Sequence, residues 1–321
     1  MRILVTGGAG FIGSHLCERL IKDGHSVTAF DNFSTGHASN LLQLEGVEGF
    51  SLIEGSILDT QMLNSLIGKA DYVFHLAAAV GVFNIVNNPL ASLLANIRGT
   101  ENVLEAAYTT KTPVFFTSSS EVYGKNVSDS LKESDDRILG SPVTLRWSYS
   151  EAKAIDESLA FAYFVEKQLE TRIVRFFNTV GPRQLGAYGM VVPRFVKSAL
   201  TDEPITIYGD GKQTRCFAHV HDVIDAVIAI AFAKNTIGKV INIGNDFEIS
   251  IHDLALKIIA ETGSKSEIVY VPYQEAYGDG FEDMERRVPN IELINSLVSW
   301  KPQRDLSKII ADISADMKKS Y

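Results

Sequence analysis

Hydrophobic and polar positions fall into alternating blocks along the first half of the chain. Short β-branched runs end in small residues, and stretches with apolar residues three and four apart follow them. The pattern predicts strands at Ile3–Val5, Ser26–Phe30, Ser51–Glu54, Tyr72–Leu76, Val114–Thr117 and Thr171–Phe176. It predicts helices at Gly13–Asp23, at Asn96–Thr109, where Val103, Leu104 and Ala107 share a face, and at Ser150–Val165. Alternation of this kind implies an α/β fold, a doubly wound parallel sheet covered on both faces. After about residue 178 the texture changes. Loops at Gly181-Pro182, Gly186–Gly189, Gly209–Gly211 and Gly278–Gly280 separate shorter elements. Residues 178–321 therefore read as a smaller α/β lobe beside a larger domain of residues 1–177. The boundary is soft, and the chain is free to return strands to the first sheet.

Composition narrows the function classes. With 321 residues, 45% of them apolar and 21% charged, the chain has the make-up of an ordinary globular protein rather than a disordered, collagenous or disulfide-built one. A net charge of −9 argues against a nucleic-acid or anionic-membrane surface, because neutralising phosphates takes clustered Lys and Arg. The two cysteines, Cys17 and Cys216, form no CxxC pair and fit a reducing compartment. The longest apolar run, Ala226–Ala233, has eight residues, against the ~20 needed to cross a bilayer. Met1–Gly7 enters a strand at once and leaves no room for a signal peptide, so a cytoplasmic location is expected.

Three segments imitate chemistry. His219-Val220-His221-Asp222 would put two histidines on one strand face, but no third ligand is near in sequence. Asp222 reads instead as the cap of a helix over Val223–Ala233, and no metal is expected. Gly209-Asp-Gly-Lys-Gln-Thr lacks the spacing of a phosphate-binding P-loop. Glu282-Asp283-Met284-Glu285 reads as a solvated charge run.

The opening turn carries the first specific signal. In Thr6-Gly7-Gly8-Ala9-Gly10-Phe11-Ile12-Gly13, Gly7, Gly10 and Gly13 stand three apart, directly after a strand and opening a helix. Glycines there allow a tight turn and close approach to a pyrophosphate, and the helix N-terminus supplies N–H groups and partial positive charge. An acidic protein can hold a dinucleotide this way without a basic patch. Asp31, at the end of the second strand and 18 residues after Gly13, can accept hydrogen bonds from ribose hydroxyls. It would repel the extra phosphate of NADP, which favours NAD. The fold expected is thus Rossmann-type.

The Tyr-x-x-x-Lys spacing occurs three times, at Tyr149/Lys153, Tyr163/Lys167 and Tyr208/Lys212. Tyr208/Lys212 spans two glycines, and Tyr163 lies deep in a helix. Tyr149 stands at a helix start, where residues four apart can both reach a cleft. A lysine ammonium and a nicotinamide ring would favour the phenolate of Tyr149, letting it take a hydroxyl proton while hydride leaves the same carbon. Ser118-Ser119-Ser120-Glu121 follows a strand whose carboxyl end should face the ligand crevice.

Together these residues resemble the extended short-chain dehydrogenase/reductases that modify nucleotide sugars. The likeness runs through Thr6–Gly13, Asp31-Asn32-Phe33, His75-Leu76-Ala77-Ala78, Asn96, Ser118–Gly124, Tyr149/Lys153, Arg175–Pro182, Gly209–Phe217 and Arg286–Asn290. It implies a tightly held NAD along Gly7, Gly10, Phe11, Ile12, Gly13, Asp31, Asn32, Ser34, Gly36, Ser56, Ile57, Leu76, Ala77, Ala78, Tyr149 and Lys153. Many members have Gly-Asp-Ile after the third strand, and this chain has Gly55-Ser56-Ile57, which weakens a specific adenine contact. The resemblance further implies a UDP-sugar, with Tyr149 as base, Lys153 as its partner and Ser119 at the usual Ser/Thr position. Ser120, Asn178, Arg183, Val192, Tyr208, Arg215 and Arg287 would contact the substrate. It also implies a homodimer formed through the helices at Asn96–Thr109 and Ser150–Val165.

All these enzymes first oxidise C4 of the sugar, and the keto sugar can then be re-reduced on its other face, lose water, or lose CO2 if C6 is a carboxylate. Ser119-Ser120-Glu121-Val122-Tyr123-Gly124 is similar to a segment of UDP-glucuronic acid decarboxylases, and Arg146–Ser150 and Lys212–Phe217 resemble the decarboxylase of aminoarabinose synthesis. An acid such as Glu121 is useful where protons move at C5. Asn178–Gln184 is shared with 4-epimerases. Decarboxylation of UDP-glucuronic acid is the favoured expectation, with 4-epimerisation and then 4,6-dehydration as alternatives. Retention of both Tyr149 and Lys153 argues against a purely NAD-binding module.

Overall fold

The computed structural model describes residues 1–80, 88–186, 190–277 and 284–319. The Ala187–Gly189 and Gly278–Gly280 parts of the glycine loops, and Glu282 and Asp283, lie outside them. In chain order the larger body contains β1 (Arg2–Thr6), α1 (Phe11–Lys22), β2 (Ser26–Asp31), β3 (Phe50–Glu54), α2 (Thr60–Ile67), β4 (Tyr72–His75), α3 (Pro89–Thr110), β5 (Val114–Ser119), α4 (Ser148–Lys167) and β6 (Thr171–Phe176). Then come β7 (Thr179–Val180), α5 (Val191–Leu200), β8 (Ile205–Tyr208), β9 (Thr214–Cys216), β10 (Ala218–His219) and α6 (Val220–Phe232). The chain ends through β11 (Val240–Ile243), β12 (Glu248–Ser250), α7 (Ile251–Thr262), β13 (Ile268–Val271), α8 (Tyr273–Tyr277), β14 (Arg286–Arg287), α9 (Glu292–Val298) and α10 (Leu306–Met317).

A seven-stranded sheet in the order β11-β6-β5-β4-β1-β2-β3 forms the frame, and its pairings are parallel. Side chains alternate across it with the period of two that a pleated strand imposes. Ile3, Val5, Phe74, Phe115 and Val174 face α1 and α6, where Leu16, Leu20, Val223 and Ile230 meet them. Leu4, Val73, Val114, Phe116 and Ile173 face α2, α3 and α4, against Leu63, Val103, Leu104 and Ala160. Burial on both faces explains why these strands read as nearly continuous apolar runs. Strand order reverses between β1 and β4, and the crevice at the carboxyl ends of the strands opens there.

The predicted strands recur with small shifts at their ends, and so do the helices except α3, which begins at Pro89, seven residues before the predicted Asn96, with proline in its first turn. The eight-residue α2, capped by Asp59 accepting from Met62 N, was too short to stand out as a period. The division near residue 178 is not a clean cut. The chain returns to place β11 beside β6 and packs α6 against α1. A separate apolar cluster, with Phe195, Ile207, Leu254, Ile258, Ile309 and Ile313, holds α5, α7 and α10 together as the smaller lobe.

The reading of Asp222 needs correction. Helix α6 starts at Val220, and its cap is His219, whose Nδ1 accepts from His221 N at 3.0 Å. Asp222 turns inward instead, accepting from the N–H groups of Gln303 and Arg304 at 3.1 and 2.9 Å and pairing with the Arg304 guanidinium. Its partners arrive from 80 residues away, which local spacing could not reveal. His221 lies in the helix, so the two histidines do not share a strand face, and their rings stack 5.1 Å apart. In the predicted charge run, Met284 is buried and Glu285 O accepts from Thr214 N.

Candidate active site

The glycine turn is built as its spacing requires. Gly7 sits at φ +70°, and a Cβ there would come within 2.7 Å of Ala77 N. A Cβ on Gly13 would meet Gly7 O at 2.1 Å, so neither position has room for a side chain. Gly10 is the N-cap of α1, and no side chain caps that N-terminus. First-turn N–H groups are thus left to a ligand, with the dipole favouring an anion. Asp31 closes the far side. Its carboxylate accepts from Ala9 N and Phe33 N, both at 2.9 Å, and a carboxylate has lone pairs beyond two such bonds. The residue thus both shapes its turn and remains able to take ribose hydroxyls. This cradle, narrow in backbone and bare of side chains at the helix end, fits the diphosphate of a dinucleotide.

One cleft of about 570 Å³ joins this cradle to the small lobe. Gly7, Gly10, Phe11, Ile12, Gly13, Asp31, Asn32, Ser34, Ser56, Ile57, Leu76, Ala77 and Ala78 line the cleft. Gly36 lies just behind that wall, where a Cβ would come within 3.0 Å of the Asp31 carboxylate. The Ser56 hydroxyl accepts from Leu58 N at 3.2 Å, so it serves its own turn.

The carboxyl end of β5 forms the middle of the cleft. Ser119 is the cap of a short 3₁₀ turn, accepting from Glu121 N at 3.3 Å, and its hydroxyl also meets the Tyr149 phenol. Tyr149 and Lys153, one turn apart on α4, face the same space. Lys153 Nζ donates to Thr117 O at 3.0 Å and lies 4.8 Å over the Phe116 ring. Burial lowers the proton affinity of Lys153. Burial, followed by the nearby Glu121 charge, raises that of Tyr149, and the Ser119 hydrogen bond opposes both. Desolvation thus works against the phenolate that the Lys153 ammonium and a nicotinamide ring together are expected to favour.

Glu121 is the most heavily engaged group. Arg146 Nη1 meets one carboxylate oxygen at 2.6 Å and Arg287 Nη1 the other at 2.7 Å. Burial alone would raise its pKa, but the two guanidinium groups hold it well below the usual carboxylate range. The partners come from both sides of the cleft, Arg146 from the turn leading into α4 and Arg287 from β14. Arg287 also donates to Ser120 Oγ at 3.2 Å, so its guanidinium sits at the β5 end, against the acid.

Asn178, Val192, Tyr208 and Arg215 line the far wall. Asn178 donates to Cys216 O at 2.9 Å, and Arg215 donates to Thr214 O at 2.8 Å. Arg183 also borders the cleft, yet its guanidinium engages Ser14 and Glu18 of α1. The other two Tyr-x-x-x-Lys pairs part company: Tyr163 is half-buried against the core with its hydroxyl donating to Glu105, while Lys212 is exposed beside Asp210. Sequence reasoning reached Arg146 only as part of the Arg146–Ser150 likeness, and Arg194 and Tyr273 not at all. Arg146 had a signal, standing three residues before Tyr149. Arg194 lies 4.5 Å over the Tyr208 ring, and Tyr273 reaches Gln213 at 3.1 Å, both through folding of the small lobe.

Residues 3–244 match the model of the NAD dependent epimerase/dehydratase family. The chain belongs to that family. NAD is accordingly its cofactor. This family member is 42% identical to the UDP-N-acetyl-alpha-D-glucosaminuronate decarboxylase of Bacillus cytotoxicus, over 94% of this chain and 92% of that one. It is 35% identical to UDP-glucuronic acid decarboxylase 1 of Xenopus tropicalis, over 94% and 68%. Among solved structures, the UDP-glucuronic acid 4-epimerase of Bacillus cereus with UDP-glucuronic acid and NAD superposes with a TM-score of 0.89 at 32% identity, covering 100% of both chains.

Proposed function

We propose that this enzyme is a UDP-uronate decarboxylase, oxidising C4 of the sugar and releasing C6 as CO2. The observation that carries the reading is the convergence of Arg146 and Arg287 on Glu121 beside Tyr149. Two cations and one anion leave a net positive pocket in an otherwise acidic protein, which suits a sugar whose C6 is a carboxylate. A neutral hexose needs no such group.

Bound NAD supplies the hydride acceptor at C4 and later the donor. Tyr149, once deprotonated, accepts the 4-hydroxyl proton, and Ser119 hydrogen-bonds the same oxygen as it becomes a ketone. Lys153 steadies the phenolate. The resulting β-keto acid breaks its C5–C6 bond, and the electron pair passes to the C4 enolate oxygen, again beside Ser119 and Tyr149. Arg287 holds the departing carboxylate, while Glu121 fixes Arg287 in place through a charge-assisted bond. C5 then takes a proton from water, and C4 regains its hydride while its oxygen recovers the proton held by Tyr149, which completes the cycle. Asn178, Arg215 and Tyr208 on the far wall hold the nucleotide diphosphate end.

UDP-glucuronate and its 2-acetamido counterpart are the substrates to test, since relatives acting on each are at hand. A 4-epimerase is the second reading, supported by the likeness to an epimerase that takes the same uronate. Incubation of the NAD-loaded enzyme with each uronate, followed by CO2 release and product NMR, separates the two. The expected result is one CO2 per pentose formed. Inversion at C4 with the carboxylate retained would overturn the proposal in favour of the epimerase.

The same reading includes a cytoplasmic homodimer. Exposed Ile155 and Val165 on α4 and Tyr108 on α3 support an apolar contact between copies. Light scattering of Ile155→Asp against the parent protein tests it, a monomeric parent being the contrary result.

A further inference from the structure

Behind the catalytic lysine lies an acid that the reaction above does not use. Asp156, one turn beyond Lys153 on α4, is 0% exposed, and one carboxylate oxygen stands 4.0 Å from Lys153 Nζ. The described residues offer neither oxygen a well-formed hydrogen bond. The Thr100 hydroxyl of α3 approaches and tempers its proton affinity without closing one, and that hydroxyl also lies 3.3 Å from His75 Nε2. The adjacent acid, Glu157, is treated differently: Arg175 grips it through Nε at 3.0 Å and Nη2 at 2.7 Å. Of two neighbouring buried carboxylates, one is satisfied by a bidentate arginine and the other is set against the catalytic lysine. Leaving a buried carboxylate without hydrogen bonds is costly, and an apolar residue at this position would avoid the cost.

We infer that Asp156 is a positioning residue, whose negative charge holds Lys153 as an ammonium and, through the same helix face, makes the Tyr149 phenol harder to ionise. The inference rests on the reading of Tyr149 as the base. The electrostatics agree with the geometry. Burial lowers the proton affinity of Lys153 and Asp156 raises it again. Asp156 also raises that of Tyr149. Its own carboxyl is pushed up to about 6 by burial, against the pull of Lys153.

The other groups facing this cluster are accounted for. Glu121, from the turn after β5, raises Tyr149 and is paired with two arginines. Glu157, from α4 itself, is paired with Arg175. His75, from β4, is pushed down to about 3 by burial and is neutral. Asp156 is therefore the leading charge on Lys153, while on Tyr149 it adds to the larger effect of Glu121. Without it, both Lys153 and Tyr149 give up their protons at lower pH.

The test reads Tyr149 directly. Tyrosinate absorbance of the NAD-loaded protein is followed against pH, with Tyr149→Phe as the baseline. Asp156→Asn should move the Tyr149 midpoint down by about one pH unit, as expected for loss of a buried charge two helical turns, roughly 10 Å, away at an effective dielectric near 20. Asp156→Glu, which keeps the charge, should stay near the parent. Asp156→Ser serves in the same role if the asparagine variant does not fold. With a turned-over substrate, both limbs of the rate profile should move to lower pH together. A purely structural residue would lower the amplitude and leave the limbs in place. An unchanged tyrosinate midpoint in a folded, NAD-binding Asp156→Asn or Asp156→Ser protein overturns the inference. No sugar is present in that titration, so failure of the decarboxylase reading would not disturb it.

Discussion

Replacing Glu121 by Gln is the most informative single perturbation. The change keeps shape and removes charge, leaving Arg146 and Arg287 against a neutral amide. Both guanidinium groups are buried, so water replaces little of the lost attraction. At an effective dielectric near 20, each pair about 4 Å apart between charge centres contributes roughly 4 kcal/mol of attraction, much of it offset by desolvation. Removing one member of a buried pair typically costs ~3–5 kcal/mol, because the remaining charges stay buried and uncompensated. Glu121→Gln should therefore lose about that much in urea unfolding at pH 7. The pH dependence sharpens the test. The folded pKa of Glu121 is depressed, so its stabilisation is fully present above the unfolded value near ~4.3 and is lost as pH falls toward the folded one. Each pH unit below ~4.3 should narrow the gap between parent and variant by ~1.4 kcal/mol while both remain folded. Paired urea titrations at pH 7, 4 and 3 measure it. A gap under ~1 kcal/mol at pH 7, or one that does not narrow in acid, would refute the reasoning.

Tyr149→Phe should leave NAD binding intact and lower the initial rate of NADH formation from a nucleotide sugar by at least ~10²-fold, read by nicotinamide absorbance. Gly13→Ala should abolish tight NAD binding by calorimetry, because its Cβ would stand 2.1 Å from Gly7 O and force the turn open. Asp222→Asn should destabilise the fold by about 3 kcal/mol in thermal or urea unfolding with little change in KM, since Asp222 ties the Gln303-Arg304 segment to α6 away from the cleft.

The chain by itself determined six of the seven strands of the sheet, the glycine turn and the Tyr149/Lys153 pair. These rest on local physics: a two-residue period for strands, glycine where no Cβ fits, and a one-turn spacing at the start of a helix. Each can be read within a window of about twenty residues. Other features depend on segments brought together from far apart. Arg287 meets Glu121 from 166 residues away, and Arg304 meets Asp222 from 82. The turn of Lys153 toward Thr117 O, and the raised proton affinity of Tyr149, follow from burial depth and from which charges face the cleft. Sequence can name a carboxylate beside a strand. Only the folded protein decides whether that carboxylate is solvated, capped, clasped between arginines like Glu121, or set without hydrogen bonds against a lysine like Asp156, because desolvation and Coulomb attraction depend on distances that no spacing along the chain encodes.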